Sequence, residues 1–137
     1  PARSEMCIRD SNNTKVLFDT ADDLGVTTVL DTELAEMSMR EAVYRALASV
    51  DGDLPIHLSI DLDVLPAAVA PGVSAPAGFG VDYAKLRAMV SAVAATGRVA
   101  LLDVVELNPD FDVDNRTAKA AARLIDDAVT ATAGRRR

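Results

Sequence analysis

Tryptophan is missing from this chain of 137 residues, and two tyrosines and three phenylalanines hold the aromatic share to 4%. A core with so few large rings has to be filled by aliphatic side chains, and there is no run of aromatic surface on which bases would stack. Basic residues are also scarce: 14 Lys and Arg stand against 21 Asp and Glu, for a net charge of -7. That balance argues against a nucleic-acid or anionic-membrane partner, because either would be repelled over most of the surface. The one basic cluster, Arg135-Arg136-Arg137, reads as a solvated tail. The single cysteine, Cys7, has no internal partner for a disulfide and lies in an apolar run, where a buried and inert thiol is expected; a reducing cytoplasm fits. No stretch has the pattern of a signal peptide, and no apolar run approaches the ~20 residues that a membrane-spanning helix needs. An initiator methionine is lacking too. Pro1 leads almost at once into a strand-like segment, so a piece of something longer is expected.

What is present has the makeup of a globular protein, 50% hydrophobic and 26% charged, at the length of one domain with its own core. Short β-branched or apolar runs at 5–8, 26–30, 56–60 and 99–105 predict strands. Between them, helical spacing predicts helices over 14–24, capped by Asn13 and stopped by Gly25, and from the Ser38/Glu41 capping box to about Val50. Further helices are predicted from Asp82 as cap to Thr96, and over about 115–131. Residues 31–37 read as an acidic loop. The sheet-facing residues are expected to be Ala42, Val43, Leu47 and Val50 on one helix and Ala121, Leu124, Ile125 and Ala128 on the last. Strands alternating with helices imply an α/β fold: a parallel sheet joined by right-handed crossovers, with flanking helices on its faces. In such sheets ligands gather beyond the carboxyl ends of the strands, which predicts that the Asn12 loop, Asp61, Asp63 and Glu106 line one rim.

The densest chemistry lies in SIDLDVLPAAVAPGVSAPAGFGV, residues 59–81. Asp61 and Asp63 sit where a buried strand should end, two positions apart. Side chains at that spacing leave the same face of an extended segment, with Cα atoms roughly 6 to 7 Å apart. Two carboxylates so placed repel each other unless a cation, a proton or a basic group lies between them, and no Lys or Arg occurs from Ile56 to Val81. A divalent ion taking oxygen ligands, such as Mn²⁺ or Mg²⁺, answers that need. A bare Asp-x-Asp also allows the plainer reading in which Asp61 caps a turn and Asp63 faces water. His57, the only histidine, is four residues before Asp61, roughly 13 Å along a strand, too far for both to hold one ion. It reads as a sheet-packing residue, and Asp103, sharing a face with Val105, as structural. Glu106, within DVVELNP at a strand end, reads by itself as an ion-paired carboxylate.

Residues 59–81 together with DVVELNP at 103–109 resemble the ureohydrolase family, which includes arginase, agmatinase and formimidoylglutamase, over nearly the whole chain. Leu65-Pro66 and Ser74-Ala75-Pro76, standing where arginases and agmatinases carry Asp-Pro and Gly-Thr-Pro, are most similar to the formimidoylglutamase branch. The resemblance implies an arginase-like three-layer α/β/α fold, of which residues 1–137 would be the C-terminal half, a partial domain. It implies a binuclear Mn²⁺ centre in which Asp61 bridges the ions and Asp63 binds one of them, and a small amidine or guanidine substrate whose cationic nitrogen group meets Glu106. Asn12 falls where the family holds the amino-acid end of the substrate, although a helix cap is the competing role for Asn12 or Asn13. The Gly-Gly-His and Asp-x-His-x-Asp segments that supply the family's other metal ligands have no match here. The expected parent is therefore an amidinohydrolase of the formimidoylglutamase type, with an agmatinase- or arginase-type enzyme as the alternative. The chain alone is expected to be non-catalytic and to associate through uncovered sheet surface, as a homo-oligomer or with a chain supplying the other half.

Overall fold

The computed structural model describes residues 5–9, 14–50 and 52–134, with side chains from residue 14 onward. Two parallel strand pairs form its frame. Strand β1 (Glu5–Arg9) runs beside β2 (Val26–Leu30), and β3 (Ile56–Asp61) runs beside β4 (Val99–Val105). Among the described residues the two pairs are not hydrogen-bonded to each other. Each pair is closed by a helical crossover, as parallel pairing requires: α1 (Lys15–Asp23) in the first and α4 (Tyr83–Ala95) in the second.

Three helix boundaries follow local chemistry. Ser38 and Glu41 form the reciprocal cap expected for α3 (Met39–Ser49), with the Glu41 amide donating to Ser38 Oγ at 3.3 Å and the Ser38 amide to Glu41 Oε2 at 2.7 Å. Asp82 caps α4 by accepting from the Lys85 amide at 2.9 Å. Asp112 opens α5 (Arg116–Gly134): its two carboxylate oxygens accept the amides of Thr117 and Ala118, each at 2.9 Å. The first helix departs from expectation, since its cap position is Thr14, without a side-chain bond, while Asn13 lies outside the described residues.

The acidic stretch after β2 is not a loop. Asp31–Glu36 forms a short helix, α2, because Glu33 reaches back to accept the Leu30 amide at 2.8 Å and Leu34, 2% exposed, anchors the turn in the core. The buried stripe of α3 is Ala42, Ala46 and Ser49; Leu47 faces outward, because the small residues allow closer packing against α4. On α5, Thr117, Ala120, Ala121, Leu124 and Ala128 are buried, and Ile125 is exposed.

Helix α4 packs on both α3 and α5. Its contact with α5 is tied by Arg87, which donates to Asp127 Oδ2 at 2.6 Å and Oδ1 at 3.0 Å, and by the Tyr83 hydroxyl on the Ala120 carbonyl at 2.9 Å; within α5, Arg123 donates to the same Asp127 carboxylate at 3.1 Å. The core beneath β3 and β4 is aliphatic, with Leu62, Leu65, Val73, Val81 and Leu124 essentially sealed from solvent. No helix among the described residues is long and apolar enough to cross a membrane.

Candidate functional site

The site grows from the end of β3. There the chain tightens into a 3₁₀ turn, Leu62–Val64, held by Asp61, whose Oδ1 accepts the Asp63 amide at 2.8 Å. Asp61 thus does cap a turn, as the plainer reading required. Asp63 does not simply face water. Fully buried Leu62 draws the turn inward, and Asp63 Oδ1 is buried with no hydrogen-bond partner. Burial pushes the Asp63 carboxyl above the usual aspartate range, the negative charges of Asp61 and Glu106 add to that, and a bond from the Ala75 amide opposes it.

Glu106 enters from the neighbouring strand. Asp61 stands opposite Val105 in the parallel register, so Glu106 leaves the same carboxyl end of the pair as the two aspartates. Its backbone is left-handed, at φ 70°, a conformation that glycine adopts freely and glutamate rarely does. Its Oε2 accepts the Ser74 hydroxyl at 2.9 Å. Asp61, Asp63 and Glu106 therefore share one rim, as the α/β pattern predicts. Asn12, the fourth expected member, lies outside the described residues.

The loop that carries Ser74 is rich in Ala, Pro and Gly, yet it is packed in place. Ala70 and Val73 are buried, the Val81 amide donates to the Val64 carbonyl at 2.8 Å, and Pro66 bridges to Ala77. Two glycines make this possible. At Gly72 a Cβ would fall 2.4 Å from Asp112 Cβ, and at Gly80, with φ +72°, it would fall 2.5 Å from the Pro66 nitrogen. The close approach at Gly72 lets its amide donate to buried Thr117 Oγ1 at 2.8 Å and its carbonyl accept the Asn108 amide at 2.8 Å. The loop after β3 is thereby stitched to the segment that follows Glu106.

Three carboxylates without a basic side chain among them, one with a buried and unsatisfied oxygen, form an environment suited to a cation. The oxygen donors fit a hard or borderline divalent ion as part of its ligand set. They do not complete one: among the described residues no group of three or more His, Cys, Asp or Glu is arranged to hold a metal.

His57 corrects the sequence reading, while Asp103 shares a face with Val105 as expected and makes structural cross-strand bonds. The His57 side chain is 56% exposed rather than packed in the sheet, and its Nε2 lies 2.5 Å from Asp103 Oδ2. The Ser59 hydroxyl donates to Asp103 Oδ1 at 2.5 Å. These bonds, that from Ser59 first, hold the Asp103 carboxyl below the usual aspartate range. The alternation of His57 and Ser59 on one strand face is a signal present in the sequence, but its meaning depends on the register of β4. Ser74 carries no sequence signal of its contact with Glu106.

A sequence model of the Arginase family matches residues 4–131. The chain is 51% identical over 123 residues to a formimidoylglutamase of Nocardia farcinica, covering 90% of this chain and 39% of that protein. It is 50% identical over 128 residues to a formimidoylglutamase of Rhodococcus opacus, covering 93% and 40%. Among solved structures, an arginase from Bacillus cereus superposes with a TM-score of 0.82 at 26% identity, over 90% of this chain and 43% of the other. A Trypanosoma cruzi formiminoglutamase determined with Mn²⁺ shares the fold at a TM-score of 0.78 and 23% identity, over 89% and 41%. The chain spans about two fifths of the length of the curated relatives it matches.

Proposed function

Because this chain belongs to the arginase family, we propose that it forms the carboxyl-terminal portion of a manganese-dependent amidinohydrolase of the formimidoylglutamase type. The observation that carries this reading is the buried, unsatisfied Asp63 Oδ1 beside Asp61 and Glu106 at one strand rim. The similarity to formimidoylglutamases supports the branch. The proposed reaction converts N-formimidoyl-L-glutamate and water to L-glutamate and formamide, a step in histidine breakdown.

In this reading Asp61 and Asp63 hold manganese, with further ligands from residues outside this chain. When bound, the metal acidifies a water for attack at neutral pH. Glu106 accepts parallel N–H bonds from the planar cationic amidine, and Ser74, bonded to Oε2, fixes the rotation of that carboxylate. Asn12 is assigned to the amino-acid end of the substrate. Reducing cytoplasm is the compartment we assign, on the single cysteine. Leu101, at 55% exposure, and Val105 lie on the same face of β4, and we assign to that face the self-association of the isolated chain or its cover by the rest of the parent.

The test is turnover of a substrate panel by the full-length parent loaded with Mn²⁺. Hydrolysis of formimidoylglutamate is expected, and turnover of agmatine or arginine alone would refute the branch. The isolated chain should show no turnover and only weak Mn²⁺ binding by calorimetry; two tightly bound ions per chain would overturn the division of ligands.

A further inference from the structure

Asp61 and Asp63 follow β3 and Glu106 follows β4, so the shape of the acidic site depends on the register between these strands. That register contains an irregularity. Ile56 pairs with Val99 but His57 with Leu101, which leaves Ala100 without an opposite residue. Beyond it, His57, Ser59 and Asp61 share a face with Leu101, Asp103 and Val105, while Ile60 and the partly buried Leu58, Leu102 and Val104 turn toward the core.

The apolar pattern rejects a slip of one residue, because Asp103 would then enter the core. It does not reject a slip of two, which preserves the faces and displaces Glu106 by roughly 7 Å. Asp103 discriminates at that level. In the observed register it stands opposite Ser59 and accepts from both Ser59 and His57. Shifted two residues one way it would face Asp61, another carboxylate; shifted the other way it would face His57 and leave Ser59 opposite Val105, so the Ser59 half of the bridge would be lost. A carboxylate accepts only, so His57 Nε2 is the donor, and both donors belong to β3 while the acceptor belongs to β4.

We propose that Asp103 is a positioning residue: by bridging His57 and Ser59 it locks β3 to β4 in the register that sets Glu106 beside Asp61 and Asp63. The consequence for catalysis rests on the reading of Glu106 given above; the consequence for register does not. Two measurements separate them. In the 137-residue chain, cross-strand NMR contacts should report one register, with Ile60 beside Val104. Asp103→Leu should add a second set of contacts, and Asp103→Asn, which keeps the shape and part of the bridge, should restore the single set. In the Mn²⁺-loaded parent, Asp103→Leu should lower kcat/KM about tenfold or more, a range that misplacement by an ångström reaches. In a Glu106→Gln background the same change should cost less than about twofold, since the group being positioned is already impaired.

A single register in Asp103→Leu overturns the proposal, as do equal losses in the two backgrounds. If that variant does not fold, His57→Ala combined with Ser59→Ala removes the same bridge from the other strand and is read in the same way. A parent inactive on amidines would refute the function, and the NMR measurement would still decide the register.

Discussion

The Ser74 hydroxyl donates to Glu106 Oε2 across 2.9 Å, joining the loop after β3 to the residue that follows β4. Of the two oxygens of Glu106, one is thereby oriented by the protein. Ser74→Ala in the parent should raise KM for the amidine roughly three- to tenfold, about the net worth of one ordinary hydrogen bond because Ser74 acts on the substrate only through Glu106, with kcat changed less than about twofold. Steady-state kinetics checks this, and an unchanged KM would show that the rotation of Glu106 is set elsewhere.

Asp63→Asn should act in opposite directions on folding and on metal binding. Without metal, Asp61 and Glu106 repel the Asp63 charge and burial penalises it, so the amide should raise the Tm of the isolated chain at neutral pH. In the parent the same change should weaken Mn²⁺ binding by an order of magnitude or more, because an anionic ligand is lost. Calorimetric melting and metal titration supply the two signs; a lowered Tm in the chain would count against the repulsion described.

The acid limb of stability should depend on Asp127. The Arg87 hydrogen bond, opposed by burial and aided by the charges of Arg87 and Arg123, holds its carboxyl below the ordinary aspartate value. A depressed folded value means that the contribution is complete above the unfolded pKa of about 3.9 and is lost as pH falls through the folded value. Asp127→Asn should therefore destabilise the chain at pH 6 and approach the unsubstituted chain as pH drops below about 4. The Arg87 side chain is 35% exposed, so solvent screens part of the pair and the effect should be modest. Urea denaturation at pH 6 and pH 3 makes the comparison.

Gly72→Ala should destabilise the chain by about 1–3 kcal/mol, because the new methyl group meets Asp112 at 2.4 Å and forces apart two segments that have no slack. The readout is the urea midpoint, and loss of Thr117 amide protection in hydrogen exchange should accompany it.

Much of this arrangement is legible in the residues alone. The strands, the Ser38/Glu41 cap and the Asp82 cap depend on local spacing, and each lies within two residues of its expected place. The rim holding Asp61, Asp63 and Glu106 follows from strand–helix alternation. Helix α2 escapes such a reading because its stability comes from Leu34 in the core and from a side chain reaching back to Leu30, neither of which is a periodic signal. The outward turn of Leu47 and Ile125 escapes it because a stripe of Ala and Ser can bury as well as one of Leu when helices approach closely. The His57–Asp103–Ser59 bridge and the Ser74–Glu106 contact are illegible for one reason: each joins residues more than 30 positions apart, and only strand pairing or loop packing brings them together.

The left-handed backbone of Glu106 makes this position worse for folding than it need be. A glycine there would relax the main chain, commonly worth about 1 kcal/mol for a residue freed from positive φ. Selection for a sturdier metal-free scaffold would thus favour Glu106→Gly and discard the carboxylate with the strain. Stabilised variants of this chain chosen without an activity screen should be sequenced at that codon first.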